Sequence, residues 1–333
     1  MEKQLKNLKE KVIRGYHINR EEALALTELP FEPLCTSADE IRRHFCGNQF
    51  DLCTIINGKS GKCSENCKYC AQSSYYHTEV ETYPLLGTKE LINQAEYNAA
   101  RGVPRYSIVT SGRKLNRQEV EQACESIREL KKSVPVSVCV SFGLLDEMEF
   151  QMVKDAGAVR VHNNLEASED YFPNVCTTHT QADKITAIHA AKKAGLSVCS
   201  GGIMGLGERM EDRIDLAMTL RELDIQSVPI NMLNPIPGTP YENNPRLTEE
   251  EMCRIIAVFR FILPKSFLRL AGGRGLMKDQ GRKCFQSGAN AAITGDMLTT
   301  TGITIQRDME MLRELGYQVA EVSFTGNKQI PGT

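Results

Sequence analysis

Eight short β-rich runs alternate with helical stretches along most of the chain, and this alternation constrains its fold more than any other feature. The predicted strands are 51–57, 105–110, 135–141, 158–163, 196–200, 227–232, 266–271 and 289–294. Strands that alternate with helices pair in parallel through right-handed crossovers. We therefore predict an α/β fold with a single TIM-type (βα)8 barrel, whose active site lies on the loops that follow the strands.

The predicted helices carry clear start and stop signals. Capping boxes open three of them, at Asn116 with Glu119, Thr180 with Asp183, and Thr248 with Glu251. Glycines stand where a left-handed residue ends a helix, at Gly102, Gly157 and Gly195. These signals predict an N-terminal helical extension over 1–45, the barrel over 46–320 and a C-terminal tail over 321–333.

Composition narrows the function classes. Lys and Arg number 40 against 42 for Asp and Glu, a net charge of −2, so we expect neither nucleic acid nor an anionic membrane as a partner. We find no apolar run of spanning length and no leader-like apolar stretch at the start, which predicts a cytoplasmic protein. In that compartment, 12 cysteines indicate metal binding or catalysis rather than disulfides.

Three of the cysteines form a CxxxCxxC loop just after the first predicted strand, at Cys63, Cys67 and Cys70. Three closely spaced thiolates can bind three irons of a [4Fe-4S] cluster and leave the fourth iron open to a ligand from outside the protein. A structural zinc site needs four ligands, so the competing interpretation is a zinc loop completed by His77. The spacing, with Tyr69 before the last cysteine, is typical of radical S-adenosylmethionine (SAM) enzymes.

Three further cysteines lie inside predicted strands: Cys53 in the first, Cys139 in the third and Cys199 in the fifth. Side chains from alternate strands share one interior layer of a (βα)8 barrel, and the seventh strand adds Arg269 to that layer. Taken singly, each thiol is explained as a small core hydrophobe. Together they suggest a second iron–sulfur cluster, whose negative charge would compensate the buried arginine.

Glycines and amides follow other predicted strands. The run 200–208, which contains Gly205 and Glu208, lies where backbone must approach a ligand closely, although a plain barrel loop would also explain it. Asn164 follows the fourth strand and Asn231 belongs to the sixth. Two amides at the mouth of a barrel can bind a neutral polar ligand, or they can simply cap loops.

From about residue 20 to residue 320, the chain resembles the biotin synthase family of radical SAM enzymes. The resemblance rests on the segments 59–74, 162–166, 198–202, 227–233, 269–274, 288–290 and 298–300. It implies a homodimeric barrel that converts dethiobiotin to biotin. A reduced four-iron cluster would cleave SAM, the 5′-deoxyadenosyl radical would remove hydrogen from two carbons, and an auxiliary cluster would give the sulfur. Implied partners are an electron donor of flavodoxin or ferredoxin type and cluster-assembly proteins.

Carried over position by position, the resemblance assigns the SAM-cleaving cluster to the CxxxCxxC cysteines, and the ureido ring of dethiobiotin to Asn164 and Asn231. Glu166 stands where the family usually has Asp for the SAM ribose. Lys184 stands where an Arg often holds the SAM carboxylate, so charge is kept but bidentate geometry is lost. The predicted cofactor contacts are completed by Tyr69, Gly205 and Glu208.

The implied auxiliary-cluster ligands match at three of four positions, Cys139, Cys199 and Arg269. On the second strand, where the family commonly has cysteine, this chain has Ser107, a poor iron ligand beside thiolate. Either sulfur donation has been lost, or the first strand supplies the missing thiolate. We favour Cys53 as that ligand, with Cys46 as the reserve candidate. The cluster would then be of two-iron type, or of four-iron type with an extra sulfide.

Two other functions stay open at this point. A hydrogenase maturase or a methylornithine synthase would share the CxxxCxxC loop on the same barrel. A non-catalytic iron–sulfur or zinc protein would use the loop for electron transfer or structure. An assay with dethiobiotin distinguishes the first alternative from a biotin synthase. SAM turnover by the reduced protein excludes the second alternative.

Overall fold

A closed barrel of parallel strands forms the centre of the computed structural model, which describes residues 2–298, 300 and 302–319. The strands are β1 (Gln49–Lys59), β2 (Arg105–Thr110), β3 (Ser137–Ser141), β4 (Ala158–His162), β5 (Ser197–Cys199), β6 (Gly202–Met204), β7 (Ser227–Met232), β8 (Phe267–Leu270), β9 (Ala291–Ile293) and β10 (Gln318–Val319). The strands from β1 to β9 form eight barrel positions in chain order, because β5 and β6 share the fifth position and both pair with β7, and β9 pairs with β1 to close the barrel. The short β10 pairs with the start of β1. The predicted (βα)8 barrel is thereby confirmed.

Three helices precede the barrel, and the others connect or follow its strands. The helices are α1 (Glu2–Ile13), α2 (Arg20–Thr27), α3 (Phe31–Cys46), α4 (Thr88–Ala99), α5 (Arg117–Ser133), α6 (Glu147–Asp155), α7 (Phe172–Val175), α8 (Gln181–Lys193), α9 (Met210–Glu222), α10 (Glu249–Ile262), α11 (Arg282–Phe285) and α12 (Ile305–Glu314). In the described part of the chain, no helix combines the length and apolar character needed to cross a membrane. The predicted tail over 321–333 lies outside the described residues.

The fifth barrel strand differs from its prediction because it is interrupted between β5 and β6. A β-carbon on Gly201 would lie 1.9 Å from the carbonyl oxygen of Pro229, and one on Gly202 would lie 2.5 Å from that of Glu166. Only glycine allows neighbouring backbone segments to come so close. At the interruption, the glycine-rich loop therefore packs closely against β7 and against the segment that follows β4.

The helix boundaries follow the signals in the sequence. The three predicted capping boxes are all present, at α5, α8 and α10. The predicted terminal glycines adopt left-handed φ angles of 82°, 113° and 77° at Gly102, Gly157 and Gly195. Two further capping boxes open α2 and α6, at Asn19 with Glu22 and Asp146 with Glu149.

The main hydrophobic core lies between the outer face of the strands and the surrounding helices. On β3, Val138 and Val140 belong to this core, whereas Cys139 between them does not. This period of two places Cys139 on the inner face of the barrel. Most TIM barrels fill their interior with branched aliphatic side chains. Here the interior holds thiols and charged groups, which suits it to ligand chemistry.

Candidate active site

The loop after β1 carries three cysteines to the mouth of the barrel. The amide of Cys63 donates to the carbonyl of Gln72 at 2.9 Å, and the amide of Ser74 donates to that of Cys63 at 2.8 Å. The amide of Cys70 donates to the carbonyl of Cys67 at 3.0 Å, which closes a tight turn. All three thiols are partly exposed and border one cavity. Burial raises the pKa of Cys70 to about 11, so this thiol must release a proton to bind a metal.

The spread of these thiols suits a cluster better than a single ion. Among the described residues, one group of ligand atoms converges to within 4.8 Å, and it consists of Cys67, Cys176 and His179 rather than the three loop cysteines. His77, expected to complete a zinc loop, is exposed and lines a separate cavity. The geometry therefore does not support a zinc site on the loop with His77.

A cavity of about 420 Å³ opens at the mouth of the barrel, beside the cysteine loop. The strand residues that line it include Ile55, Ser107, Ser141, His162, Pro229 and Ile293. The predicted site residues Tyr69, Asn164, Glu166, Lys184 and Asn231 line it as well. Its size is that of a small-molecule pocket. One cavity thus has the cysteine loop at its side and the strand ends as its floor.

Three buried oxygens that border this cavity have no hydrogen-bond partner among the described residues: Ser107 Oγ, Asn164 Oδ1 and Glu166 Oε2. Leaving a buried acceptor unpaired costs about 1–3 kcal/mol, so a ligand with donors at these positions fits the site. Glu166 also has a left-handed φ of 72°, an unfavourable conformation that is typical of functional residues. Burial raises the pKa of Glu166, although the nearby Lys184 acts in the opposite direction.

Asn231 lines the cavity, but its amide is already used by the fold. Its Oδ1 accepts from the amide of Gly272 at 2.8 Å, and its Nδ2 donates to the carbonyl of Gly202 at 3.0 Å. An amide oxygen has two lone pairs and the amide nitrogen has two hydrogens, so one further bond is possible at each atom. Asn231 can therefore contact a ligand while it holds two strand ends together.

Gly205 and Glu208 were predicted to contact the cofactor, but neither is among the described residues that line the cavity. The amide of Gly205 donates to Glu208 Oε1 at 2.8 Å, and Arg213 pairs with the same oxygen at 2.6 Å. Both residues thus shape the loop after β6, and their direct contact with a cofactor stays a prediction.

A second set of cysteines lies inside the barrel, below the cavity. Cys53, Cys139 and Cys199 are fully buried, as is Arg269. Burial and the neighbouring Cys139 raise the pKa of Cys53, and Arg269 interacts electrostatically with both Cys53 and Cys199. Ile55, two residues beyond Cys53, lines the cavity floor. The four residues predicted to share an interior layer are thus brought together.

Asp51, two residues before Cys53 on the same face of β1, lies next to this layer and was missed by sequence reasoning. Its carboxylate accepts hydrogen bonds from Arg105 at 3.1 Å, Arg160 at 2.8 Å and Arg269 at 2.6 Å. Burial alone would raise the pKa of Asp51, but the three arginines hold it well below its usual range. Arg269 therefore has an anionic partner within the protein. From the sequence, only an iron–sulfur cluster is expected to compensate its charge. Charged residues within predicted buried strands could have signalled this network, because each needs a partner.

The thiols of the interior layer lie beside polar and cationic groups. Arg105 Nη1 donates to Cys139 Sγ at 3.8 Å, and Cys199 Sγ lies 3.2 Å from Ser227 Oγ. Burial alone would raise the pKa of Cys139, but Arg105 and the neighbouring His162 bring it below its usual value. These two neighbours favour the thiolate form of Cys139, which is the form that binds metal.

Ser107, which stands where the family commonly has a cluster cysteine, and Cys46, the reserve candidate for the missing thiolate, lie in different parts of the structure. Ser107 Oγ is buried at the cavity floor without a hydrogen-bond partner. Cys46 ends α3, and its Sγ lies 3.8 Å from Arg260 Nη1 and 3.9 Å from the carbonyl of Lys265. These contacts keep Cys46 away from the interior layer, so Cys53 stays the first candidate.

The fold and the cysteine loop define the class of this protein. Residues 59–220 match the Radical SAM superfamily, and residues 229–318 match the Biotin and Thiamin Synthesis associated domain. The chain is therefore a radical SAM enzyme, a class that uses a [4Fe-4S] cluster and SAM.

Relatives that match nearly the whole chain narrow this class to one family. Biotin synthase from Brachyspira hyodysenteriae is 59% identical over 95% of both chains. Biotin synthase from Akkermansia muciniphila is 58% identical, over 94% of this chain and 98% of its own. Biotin synthase from Clostridium botulinum is 53% identical, over 93% of this chain and 98% of its own. The chain belongs to the biotin synthase family, which confirms the family predicted from the sequence.

Solved structures share the fold at lower identity. Methylornithine synthase aligns with a TM-score of 0.80 at 20% identity, over 94% of this chain and 97% of its own. A maturase of the [FeFe]-hydrogenase aligns with a TM-score of 0.80 at 15% identity, over 97% of this chain and 76% of its own. These two likenesses establish the barrel alone. The high identity to biotin synthases decides against both as alternative functions.

Proposed function

We propose that this chain converts dethiobiotin to biotin in the cavity at the barrel mouth, with one iron–sulfur cluster beside the substrate and a second below it. The observation that carries the proposal is the stacking of two cysteine sets in one barrel. Cys63, Cys67 and Cys70 border the cavity from its side, whereas Cys53, Cys139 and Cys199 are fully buried under its floor. A substrate in the cavity would therefore lie between a radical source and a sulfur source.

In this proposal the loop cysteines Cys63, Cys67 and Cys70 hold the SAM-cleaving [4Fe-4S] cluster. When bound, the cluster and SAM supply a 5′-deoxyadenosyl radical that removes hydrogen from the substrate. The chain itself binds and orients SAM. Glu166 Oε2, buried and unpaired, accepts hydrogen bonds from ribose hydroxyls, and the buried Lys184 pairs with the SAM carboxylate.

Substrate recognition is assigned to two amides, and a cofactor contact to an aromatic side chain in the same cavity. Asn164 Oδ1 is the unpaired acceptor for a ureido N–H of dethiobiotin. Asn231 offers the second hydrogen of Nδ2 to the ureido carbonyl while its other bonds fix the strand ends. Tyr69 lines the same cavity beside Glu166, as part of the proposed cofactor site.

The interior layer is assigned to the auxiliary cluster, with Cys53, Cys139, Cys199 and Arg269 as its ligands. This cluster would supply the sulfur atom. Arg105, Arg160 and Arg269 concentrate positive charge beside the thiols, and such charge favours thiolates and the anionic cluster that they would bind. Asp51 holds the three guanidinium groups in place from the side opposite the cavity. The cluster is of two-iron type, or of four-iron type with an extra sulfide.

The same proposal requires partners. Reduction of the SAM-cleaving cluster needs a one-electron donor, for which a flavodoxin or ferredoxin type protein is suited. A cluster that loses sulfur needs cluster-assembly proteins for resupply. We propose these partners, a homodimeric assembly and a cytoplasmic location as parts of the same function.

The test is a labelled single-turnover assay. Full-length protein is reconstituted anaerobically with iron and heavy-isotope sulfide, freed of unbound sulfide, reduced, and supplied with SAM and dethiobiotin. We expect biotin that carries the heavy sulfur, detected by mass spectrometry. Unlabelled biotin would reject the auxiliary cluster as sulfur source, and 5′-deoxyadenosine without biotin would reject the substrate. Iron and sulfide analysis with Mössbauer spectroscopy of the same sample distinguishes a two-iron from a four-iron auxiliary cluster.

A further inference from the structure

Beside the cysteine loop lies a group of metal-ligating side chains that the proposed reaction does not use as a group: Cys67, Cys176 and His179. One ligand atom of each lies within 4.8 Å of the other two, and Cys176 Sγ is 3.4 Å from His179 Nδ1. Around a tetrahedral zinc ion, with Zn–S of about 2.3 Å and Zn–N of about 2.0 Å, neighbouring ligand atoms are roughly 3.5 Å apart. We infer that the chain without its loop cluster binds a single thiophilic divalent ion, of the Zn²⁺ class, on these three residues.

The fold holds two of these ligands in place before any metal arrives. Cys176 is 2% exposed and His179 is 7% exposed. Asn66, inside the cysteine loop, fastens their segment to that loop, because its Oδ1 accepts from the amides of Thr177 at 2.9 Å and Thr178 at 3.2 Å. Ligands that are already ordered lose little conformational freedom on binding, which strengthens the site.

Glu65 completes the surroundings of the site. Its Oε2 lies 2.5 Å from His179 Nδ1 and accepts from Thr178 Oγ1 at 2.8 Å. Because His179 Nδ1 is also the nitrogen that faces Cys176, a metal bound to it would replace the contact with Glu65 and would lie beside the carboxylate. Zinc also accepts carboxylate oxygen, so Glu65 is the donor best placed to supply a fourth ligand. Two thiolates, an imidazole and a carboxylate form a donor set typical of zinc rather than of magnesium or calcium.

The consequence for the enzyme follows from Cys67, and this step alone rests on the proposed function. Cys67 is assigned to the [4Fe-4S] cluster, and a thiolate bound to a cluster iron cannot complete a separate mononuclear site. The two occupied states therefore exclude each other. Zn²⁺ binds nitrogen and sulfur ligands more tightly than Fe²⁺ does, so zinc at this site blocks loading of the cluster.

The first test uses Co²⁺ as a spectroscopic substitute for Zn²⁺ in full-length, cluster-free protein under anaerobic conditions. We expect a thiolate-to-metal charge-transfer band and intense tetrahedral d–d bands, which Zn²⁺ abolishes. Loss of an outer-shell partner costs about 10–100-fold in metal affinity, so Cys176→Ala and His179→Ala should each weaken binding by more than about 100-fold. His179→Cys should restore the bands, because it returns a ligand.

The matched controls are the other two cysteines of the loop. Cys63→Ala and Cys70→Ala should keep the Co²⁺ spectrum, since neither residue belongs to the group. Loss of the bands in Cys63→Ala together with their retention in Cys176→Ala would overturn the proposal, because the ion would then sit on the CxxxCxxC loop. Circular dichroism of each variant shows whether a loss of the Co²⁺ bands is due to misfolding. If His179→Ala misfolds, the Co²⁺ spectrum of His179→Cys tests the site instead, because this variant returns a ligand.

The second test is competition during reconstitution with iron and sulfide. Equimolar Zn²⁺ should slow cluster formation at the loop, read from visible absorbance and from the EPR signal of the reduced cluster. It should do so far less in Cys176→Ala. Equal inhibition of both proteins would reject the competition. Failure of cluster formation in both proteins without zinc would instead reject the proposed role of the loop, so the two failures are distinguishable.

Discussion

The two cysteine sets use the same chemical group in opposite settings. At the mouth, Cys63, Cys67 and Cys70 lie on a loop, are partly exposed, and border a cavity open to solvent. Inside the barrel, Cys53, Cys139 and Cys199 lie on strands and have no exposed surface. Exchangeable ligands such as SAM suit the first setting, whereas a resident group that only a substrate reaches suits the second.

The electrostatic surroundings differ as strongly as the exposure. The interior thiols lie beside a carboxylate that binds three guanidinium groups, all of them buried. Near the loop thiols, Lys184 is a buried cation that lines the cavity. Burying several charges costs desolvation free energy, which must be offset by the interactions that these charges make with one another or with a ligand. The mouth is therefore suited to ligands that exchange with solvent, and the interior to an anionic group that is shielded from solvent.

The largest expected effect is the loss of SAM cleavage when a cysteine at the mouth is replaced. Cys67→Ala should abolish formation of 5′-deoxyadenosine in reduced, anaerobic protein, because the cluster that cleaves SAM loses a ligand. Chromatographic quantification of 5′-deoxyadenosine measures this. Cys124→Ala, at a buried cysteine on α5, is the matched control and should cleave SAM normally. Undiminished cleavage by Cys67→Ala would remove the loop from the reaction.

The next largest effect is the loss of biotin formation when a cysteine inside the barrel is replaced. Cys53→Ala should lower iron and sulfide to what the loop cluster alone requires and stop biotin formation, while SAM cleavage continues. Ser107→Ala should change neither quantity, because a hydroxyl is a poor iron ligand. Metal analysis and the biotin assay measure both variants. Full iron content and biotin synthesis in Cys53→Ala would show that the first strand supplies no ligand.

A stability measurement sharpens the electrostatic contrast. Asp51→Asn removes the carboxylate that the three buried arginines share, which should lower the free energy of unfolding by about 3–5 kcal/mol in protein without the auxiliary cluster. Loading that cluster should recover part of the loss, because it brings negative charge to the same arginines. Chemical denaturation under anaerobic conditions measures both forms.

The control for Asp51→Asn is an exposed ion pair. Asp215 accepts from Arg20 at 2.5 Å, and both side chains are more than a third exposed. Asp215→Asn should therefore cost only about 0–1 kcal/mol. Similar losses in the two variants would mean that the interior network contributes no more than a surface pair.

The smallest expected effect concerns substrate binding at the mouth. Asn164→Ala removes a buried acceptor that has no other partner, so it should weaken dethiobiotin binding by about 1–3 kcal/mol, where about 1.4 kcal/mol is tenfold. Asn231→Ala should weaken binding by roughly tenfold and also lower stability, because it breaks two bonds to backbone. Equilibrium dialysis in the presence of SAM measures affinity. Unchanged affinity in either variant would remove that residue from the substrate site.

Much of the barrel was predictable because its signals are local. Strand runs, capping boxes and terminal glycines depend on neighbours within a few residues, and the CxxxCxxC spacing is contained in a loop of eight residues. The interior layer was also predicted, since alternate strands of a barrel contribute to one layer. The interruption of the fifth strand was missed because it depends on how closely Gly201 approaches Pro229 on another strand.

What sequence reasoning missed depends on contacts between distant segments. Asp51 meets arginines that lie 54, 109 and 218 positions away, and no local pattern relates them. Cys176 and His179 approach Cys67 because their segment is bound to the cysteine loop, through Asn66 and through Glu65. Such groupings follow from the closed barrel and from loop packing. They become visible only when the chain is folded.

The complete burial of Cys53, Cys139 and Cys199 beneath the cavity has a kinetic consequence. An iron or sulfur atom that comes from solution to repair the interior must share the route through the cavity with the substrate, or wait for a transient opening of the barrel. On the route through the cavity, substrate occupancy and repair exclude each other in time. Product departure would set the earliest moment of repair, and excess dethiobiotin would delay it, so the enzyme should show an ordered cycle rather than continuous turnover.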